Sequence, residues 1–117
     1  VQFLLQDERA RVLLTSMVSC LFARGVYGEP VLADCLRSIG YTTLADSTGA
    51  LSGHVQKLRW QARLKTGFDP RTVSIPKRFL EVETWRGPIN EDYLHALKDA
   101  YAEAILALVL RQSDYAG

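Results

Sequence analysis

Apolar residues recur along this chain at intervals of three and four, and no stretch of useful length alternates apolar with polar. A period near 3.6 is the signature of helices that bury one face, so the pattern predicts an all-α fold. In the first segment Leu13, Met17 and Cys20 fall at i, i+4 and i+7, with Leu14, Val18 and Leu21 on an adjacent stripe. The expected helix runs from about residue 7 to 24 and stops at Gly25. Leu32, Cys35, Leu36 and Ile39 repeat the spacing in a second, short helix, with Pro30 at its start and Gly40 as a left-handed stop.

Residues 41 to 50 are rich in Thr, Ser and Asp and read as a connection that caps a third helix ending near Lys65. The inner stripe of that helix is expected to be Leu51, Val55, Leu58 and Ala62, weakened by Gly53, with Gly67 as its C-terminal cap. Pro70, Pro76 and Pro88 then forbid a long helix, leaving a mostly extended segment with one turn around Lys77 to Leu80. The last helix is the best specified. Asn90 caps it, Glu91 and Asp92 place negative charge at its positive end, and Ile89 and Leu94 form a hydrophobic staple. Leu94, Leu97, Tyr101, Ile105 and Leu108 supply its buried stripe. The expected architecture is one domain, residues 1–117: a small bundle of four main helices with a Pro-containing extended segment before the last.

At 117 residues, 48% hydrophobic and 23% charged, the composition is that of an ordinary globular domain. The longest uninterrupted apolar run, Ala104 to Leu110, is far short of the roughly 20 residues that cross a bilayer, so no membrane partner is expected. The sequence begins without an initiator Met, which fits a processed product or a piece of a longer polypeptide; the second reading carries more weight. Two cysteines are too few for a disulfide framework or a four-ligand zinc site. Cys20 and Cys35 are therefore read as reduced, small buried hydrophobes, and the protein as cytoplasmic.

Charge is unevenly spread. Residues 54 to 78 carry a local excess of +6, whereas residues 81 to 103 hold six acids against two bases. A basic stretch beside Trp60 and Phe68 can contact phosphates, but a net charge of +1 disfavours nucleic acid as the partner. His54 and His95 lack a metal-ligand companion at i+4, the serines lack a nucleophile elbow, and no phosphate loop or dinucleotide fingerprint occurs. Residue pattern alone gives a helical domain without a complete active site.

Four blocks nonetheless form a series. These are Cys20-Leu21-Phe22-Ala23-Arg24-Gly25-Val26-Tyr27, then Leu64-Lys65-Thr66-Gly67-Phe68, then Ile75-Pro76-Lys77-Arg78-Phe79-Leu80-Glu81, then Gly87-Pro88. In order and spacing they resemble the C-terminal end of aldehyde ferredoxin oxidoreductases, which carry a comparable Arg-Glu-Gly-Phe, Leu-Pro-x-Arg-Phe and Gly-Pro. The similarity covers roughly residues 10 to 90, and the final helix matches more loosely.

The resemblance implies a three-domain tungsten enzyme in which two pterins hold the metal. A four-iron four-sulfur cluster nearby passes electrons to ferredoxin as an aldehyde becomes a carboxylate. Three cluster cysteines come from a Cys-x-x-Cys-x-x-x-Cys motif in the middle domain, and the fourth from an Asp-x-x-Gly-Leu-Cys motif in the last. Cys20 falls on that fourth cysteine, and a soft thiolate suits such a cluster. Thr15, Val18 and Ser19 stand where the family has Asp, Gly and Leu, so Thr15 and Ser19 are the pterin-side candidates, altered from the family motif. The triple-cysteine motif is absent from the chain. The isolated chain is accordingly expected to be inactive and free of cofactor. Its implied partners are the remaining domains of the same enzyme and ferredoxin, with a homo-oligomer also open to it. The alternative is a non-catalytic helical interaction module that keeps the scaffold without its cofactors. The two differ at Cys20: an exposed apolar surface around it suits docking of missing domains, and a covered Cys20 suits the module.

Overall fold

The computed structural model describes residues 1–111 of the chain. Its helices are α1 (Gln2–Ser16), α2 (Glu29–Ser38), α3 (Thr42–Lys65), a four-residue α4 (Arg78–Glu81) and α5 (Glu91–Leu110). A minimal antiparallel hairpin, β1 (Glu83–Thr84) with β2 (Gly87–Pro88), lies between α4 and α5. Short 3-10 turns cover Leu21–Ala23 and Pro70–Thr72. The class is all-α, as the periodicity predicts.

α1, α2 and α3 share one apolar centre. Leu13 and Leu14 of α1 pack on Leu32 of α2, and Ala33 and Leu36 of α2 pack on Ala45 of α3; Met17 touches both groups. α5 crosses α3 in the opposite sense and buries Ala102 and Ile105. Asn90 caps α5 as its sequence predicts, accepting from the Tyr93 amide at 2.8 Å.

Three helices stop by the same hydrogen-bonded closure. In α2 the amides of Gly40 and Tyr41 donate to the carbonyls of Arg37 and Leu36; in α3 those of Gly67 and Phe68 donate to Leu64 and Arg63. In α1 the amides of Val18 and Ser19 donate to Thr15 and Leu14. This closure puts the residue after the cap in the left-handed region, which glycine occupies without penalty. Gly40 and Gly67 sit there at φ 89° and 87°, and Val18 sits there at φ 57°.

Several expectations are corrected. α1 starts five residues earlier than expected and stops at Ser16, not near residue 24, because the closure at Val18 intercepts it. Residues 42–50 are helical, not a connection: the Ser47 and Thr48 hydroxyls donate to carbonyls a turn earlier, and Ala45 and Thr48 face the core. The buried face of α3 is Ala45, Thr48, Ser52, Gln56 and Trp60, so the expected stripe is rotated, leaving Leu58 and Ala62 exposed. Cys20, Cys35 and Ile39 are exposed rather than buried. The extended segment has its expected turn at α4, and the hairpin after it was unforeseen.

The chain keeps a large surface. Its accessible area is 8615 Å², against about 6,400 Å² for a compact monomer of this mass. Its radius of gyration is 17.1 Å, against roughly 13 to 14 Å for a compact chain of this length.

Candidate functional site

Cys20 follows directly from the way α1 ends. After Val18 turns left-handed, the chain runs extended through Cys20 (φ −68°, ψ 131°), whose carbonyl accepts the Ala23 amide at 2.9 Å and opens the 3-10 turn. This geometry carries the thiol off the α1 stripe and into solvent, as a free cysteine. Around it the surface is apolar and unpartnered: Val18 is 94% and Phe22 95% exposed, and Leu21 and Val26 are exposed as well.

Thr15 and Ser19, the other two residues singled out by the resemblance, lie on either side of the closure. The Thr15 hydroxyl donates back to the carbonyls of Arg11 at 2.8 Å and Val12 at 3.1 Å, so its proton serves the helix and only lone pairs face outward. Ser19 is half-buried with its hydroxyl 3.5 Å from the Met17 carbonyl. Neither can supply the anionic acceptor that an Asp would.

The donor set is incomplete for a metal cluster. Among the described residues no group of three or more His, Cys, Asp or Glu side chains is placed to hold a metal ion. Cys35 is a second free thiol on α2, and His95 faces Glu91 one turn away at 3.7 Å. A four-iron cluster takes four thiolates, so these residues do not by themselves fit one; Cys20 can contribute a single ligand to a centre completed elsewhere. A cavity of about 130 Å³ nearby is lined by Arg11, Arg24 and Tyr27 together with Asp7 and Glu29. It is smaller than the roughly 300 Å³ at which small-molecule sites begin, and its charges nearly cancel.

A second cluster, which sequence reasoning missed, fastens the helices. Glu8 Oε2 on α1 accepts from Gln56 Nε2 at 2.7 Å and Trp60 Nε1 at 3.0 Å on α3, and from the Tyr101 hydroxyl at 3.2 Å on α5. Gln56 also donates to the Leu5 carbonyl at 3.1 Å. Burial and the adjacent Glu8 charge, with its hydrogen bond, push the Tyr101 hydroxyl up to about 12. Beside this cluster Arg63 lies 5.3 Å from the ring centres of both Trp60 and Phe68. The signal for it was present: Gln56, Trp60 and Tyr101 are amphipathic side chains, and a buried polar tip needs a partner. One residue along α1 and one turn earlier on the same face of α3, Arg9 donates to Ser52 Oγ at 3.1 Å and to the Gly49 carbonyl, beside Gly49 and Gly53.

No helix among the described residues is long and apolar enough to cross a membrane. Compared with known proteins, the chain matches no family model, no curated protein and no solved structure.

Proposed function

We propose that this chain is the C-terminal helical domain of an aldehyde ferredoxin oxidoreductase-like protein, docking by its Cys20 face onto the domains that carry the cofactors. The observation that carries the reading is the accessible Cys20 thiol, set in an apolar surface that the described residues leave uncovered. A thiol serving only as core filling would be buried with its neighbours. The φ of 57° at Val18 gives independent support, because the family motif has glycine at this position and the backbone adopts a conformation that favours glycine.

In the intact enzyme this domain would pack against the others and complete the cluster with one thiolate. Tungsten, pterins and cluster would supply the redox chemistry that turns an aldehyde into a carboxylate and reduces ferredoxin. The chain's own contribution is positional: the closure of α1 fixes where the sulfur emerges, and the Glu8 cluster fixes α1 against α3 and α5.

The second reading is a helical interaction module without cofactors. The replacement of the motif's acid by Thr15, whose proton is spent within α1, favours it. Anaerobic expression of the intact gene product, with and without Cys20→Ala, distinguishes the two. Tungsten and iron in the parent, with iron and cluster absorbance reduced in the variant, are the expected results; equal iron in both proteins removes Cys20 from the metal centre, and a metal-free parent favours the module.

A further inference from the structure

The polar junction at Glu8 joins groups that can exchange an electron and a proton. Trp60 Nε1 and the Tyr101 hydroxyl donate to the same oxygen, Glu8 Oε2, at 3.0 and 3.2 Å. Their rings stand edge to face, with centroids 6.5 Å apart and planes at 81°, within the range of direct aromatic contact. Trp60 is buried and Tyr101 half-buried. Accepting these hydrogen bonds does not itself require a carboxylate, since an amide carbonyl also accepts. What the carboxylate adds is the capacity to take a proton.

An oxidised phenol is a far stronger acid than a carboxylic acid, so a tyrosine gives up an electron readily where a base stands ready for its proton. Tyr101 has that base within hydrogen-bond reach. The proton is present to be moved throughout the neutral range, because burial and the Glu8 charge push the hydroxyl up to about 12. Trp60 is less suited to keeping an oxidising equivalent. The Arg63 guanidinium lies 5.3 Å from its ring centre, and this cation opposes a radical cation formed on the indole beside it. Tyr101, once its proton has left, is neutral.

We propose that Glu8, Trp60 and Tyr101 form a one-electron redox site, in which an oxidising equivalent placed on Trp60 by a radical oxidant passes to Tyr101 while the Tyr101 proton moves to Glu8 Oε2. The step balances. The Trp60 radical cation gains one electron and returns to indole. Tyr101 loses that electron and its O–H bond breaks, leaving a neutral phenoxyl radical, and a new O–H bond forms on Glu8. A one-electron reductant reverses the last change, the proton returning along the same hydrogen bond. Gln56 Nε2, at 2.7 Å from Glu8 Oε2, holds the carboxylate in place for both directions. The inference rests on these contacts and is independent of any docking at the Cys20 face.

The test is laser-flash photo-ionisation of the full chain carrying Trp85→Phe, which leaves Trp60 as its one tryptophan. Trp85 is 88% exposed, so this background spares the core. Light at the red edge of the indole band selects Trp60, transient absorption follows the radicals, and circular dichroism checks helicity. The indolyl band is expected to decay as a phenoxyl band rises at the same rate, and both changes are expected to slow in heavy water. Adding Tyr101→Phe should abolish the rise. Adding Glu8→Gln, which keeps an acceptor oxygen but takes no proton, should slow it by about 100-fold. Absence of a phenoxyl rise in the Trp85→Phe background overturns the inference, as does a rise that survives Tyr101→Phe. An equal rate in heavy water or in Glu8→Gln overturns the transfer of the proton to Glu8; the heavy-water comparison alters no residue of the junction and decides this point even where a variant folds poorly.

Discussion

Glu8 and Tyr101, 93 residues apart, meet at 3.2 Å, and their contact ties the first helix of the chain to the last. The same carboxylate oxygen holds Trp60 and Gln56, so a single acceptor joins α1, α3 and α5. The apolar centre shared by α1, α2 and α3 does not include α5. This polar junction therefore carries much of the specificity of the α5 position.

Removing the acceptor should cost more than removing any one donor. Glu8→Ala leaves three donors without their partner and is expected to destabilise by about 2 to 3 kcal/mol, whereas Tyr101→Phe loses one hydrogen bond, worth about 1 kcal/mol. Urea unfolding followed by circular dichroism gives both values. Equal losses would mean that Glu8 acts on Tyr101 alone.

The Tyr101 hydroxyl is displaced from the ordinary 10.0 up to about 12 by burial, by the Glu8 charge and by its hydrogen bond to it. A group whose pKa is raised in the fold stabilises it at pH values below the unfolded pKa, and this contribution is lost as pH rises through the folded one. Stability should therefore decline between pH 10 and about 12. Ultraviolet titration should show a tyrosinate component near pH 12, and Tyr101→Phe should abolish both that component and its share of the alkaline slope.

Local signals in the sequence hold where backbone chemistry decides them. Asn90, Gly40 and Gly67 cap and stop helices as their residue types require. What failed was phase. Leu51, Val55, Leu58 and Ala62 make a plausible apolar stripe, yet α3 turns Ser52, Gln56 and Trp60 inward, because Arg9 and Glu8 wait there as partners. Hydrophobic periodicity does not register a buried face assembled from satisfied polar groups. Cys20 departs from its expected stripe for a different reason: nothing in Ser16-Met17-Val18-Ser19 announces a helix end, since the glycine that ordinarily marks this closure is a valine.

The two glycines of α3 that face Arg9 should respond differently to alanine. At Gly53 a Cβ would find its nearest neighbour 3.6 Å away, an ordinary contact, so Gly53→Ala should stabilise by about 0.5 to 1 kcal/mol through helix propensity. At Gly49 it would meet Glu29 Oε1 at 2.8 Å and Arg9 Nη2 at 3.2 Å, displacing both. Gly49→Ala is expected to gain less than Gly53→Ala, or to lose stability. Thermal unfolding of the pair gives the ordering.

Both thiols should react in the native protein. Cys20 and Cys35 are free and exposed, so an aromatic disulfide reagent should titrate two thiols per chain without denaturant. Under the docking proposed above, Cys20 should be protected once the partner domains are present, with Cys35 still reactive.

Val18 offers the most direct test of how α1 ends. Left-handed backbone costs an L residue about 1 to 2 kcal/mol, and more for a β-branched one. Glycine removes that cost but loses about 0.5 to 1 kcal/mol of its advantage to the freedom of the unfolded chain. Because Val18 is 94% exposed, no packing is forfeited. Val18→Gly should therefore raise stability by about 0.5 to 1 kcal/mol, although glycine in the interior of a helix weakens it. Val18→Ala, which keeps a Cβ at φ 57°, should recover less. If alanine stabilises as much as glycine, the gain comes from losing β-branching and not from the left-handed turn; if neither stabilises, α1 does not close at Val18, and Cys20 emerges from the helix by another route.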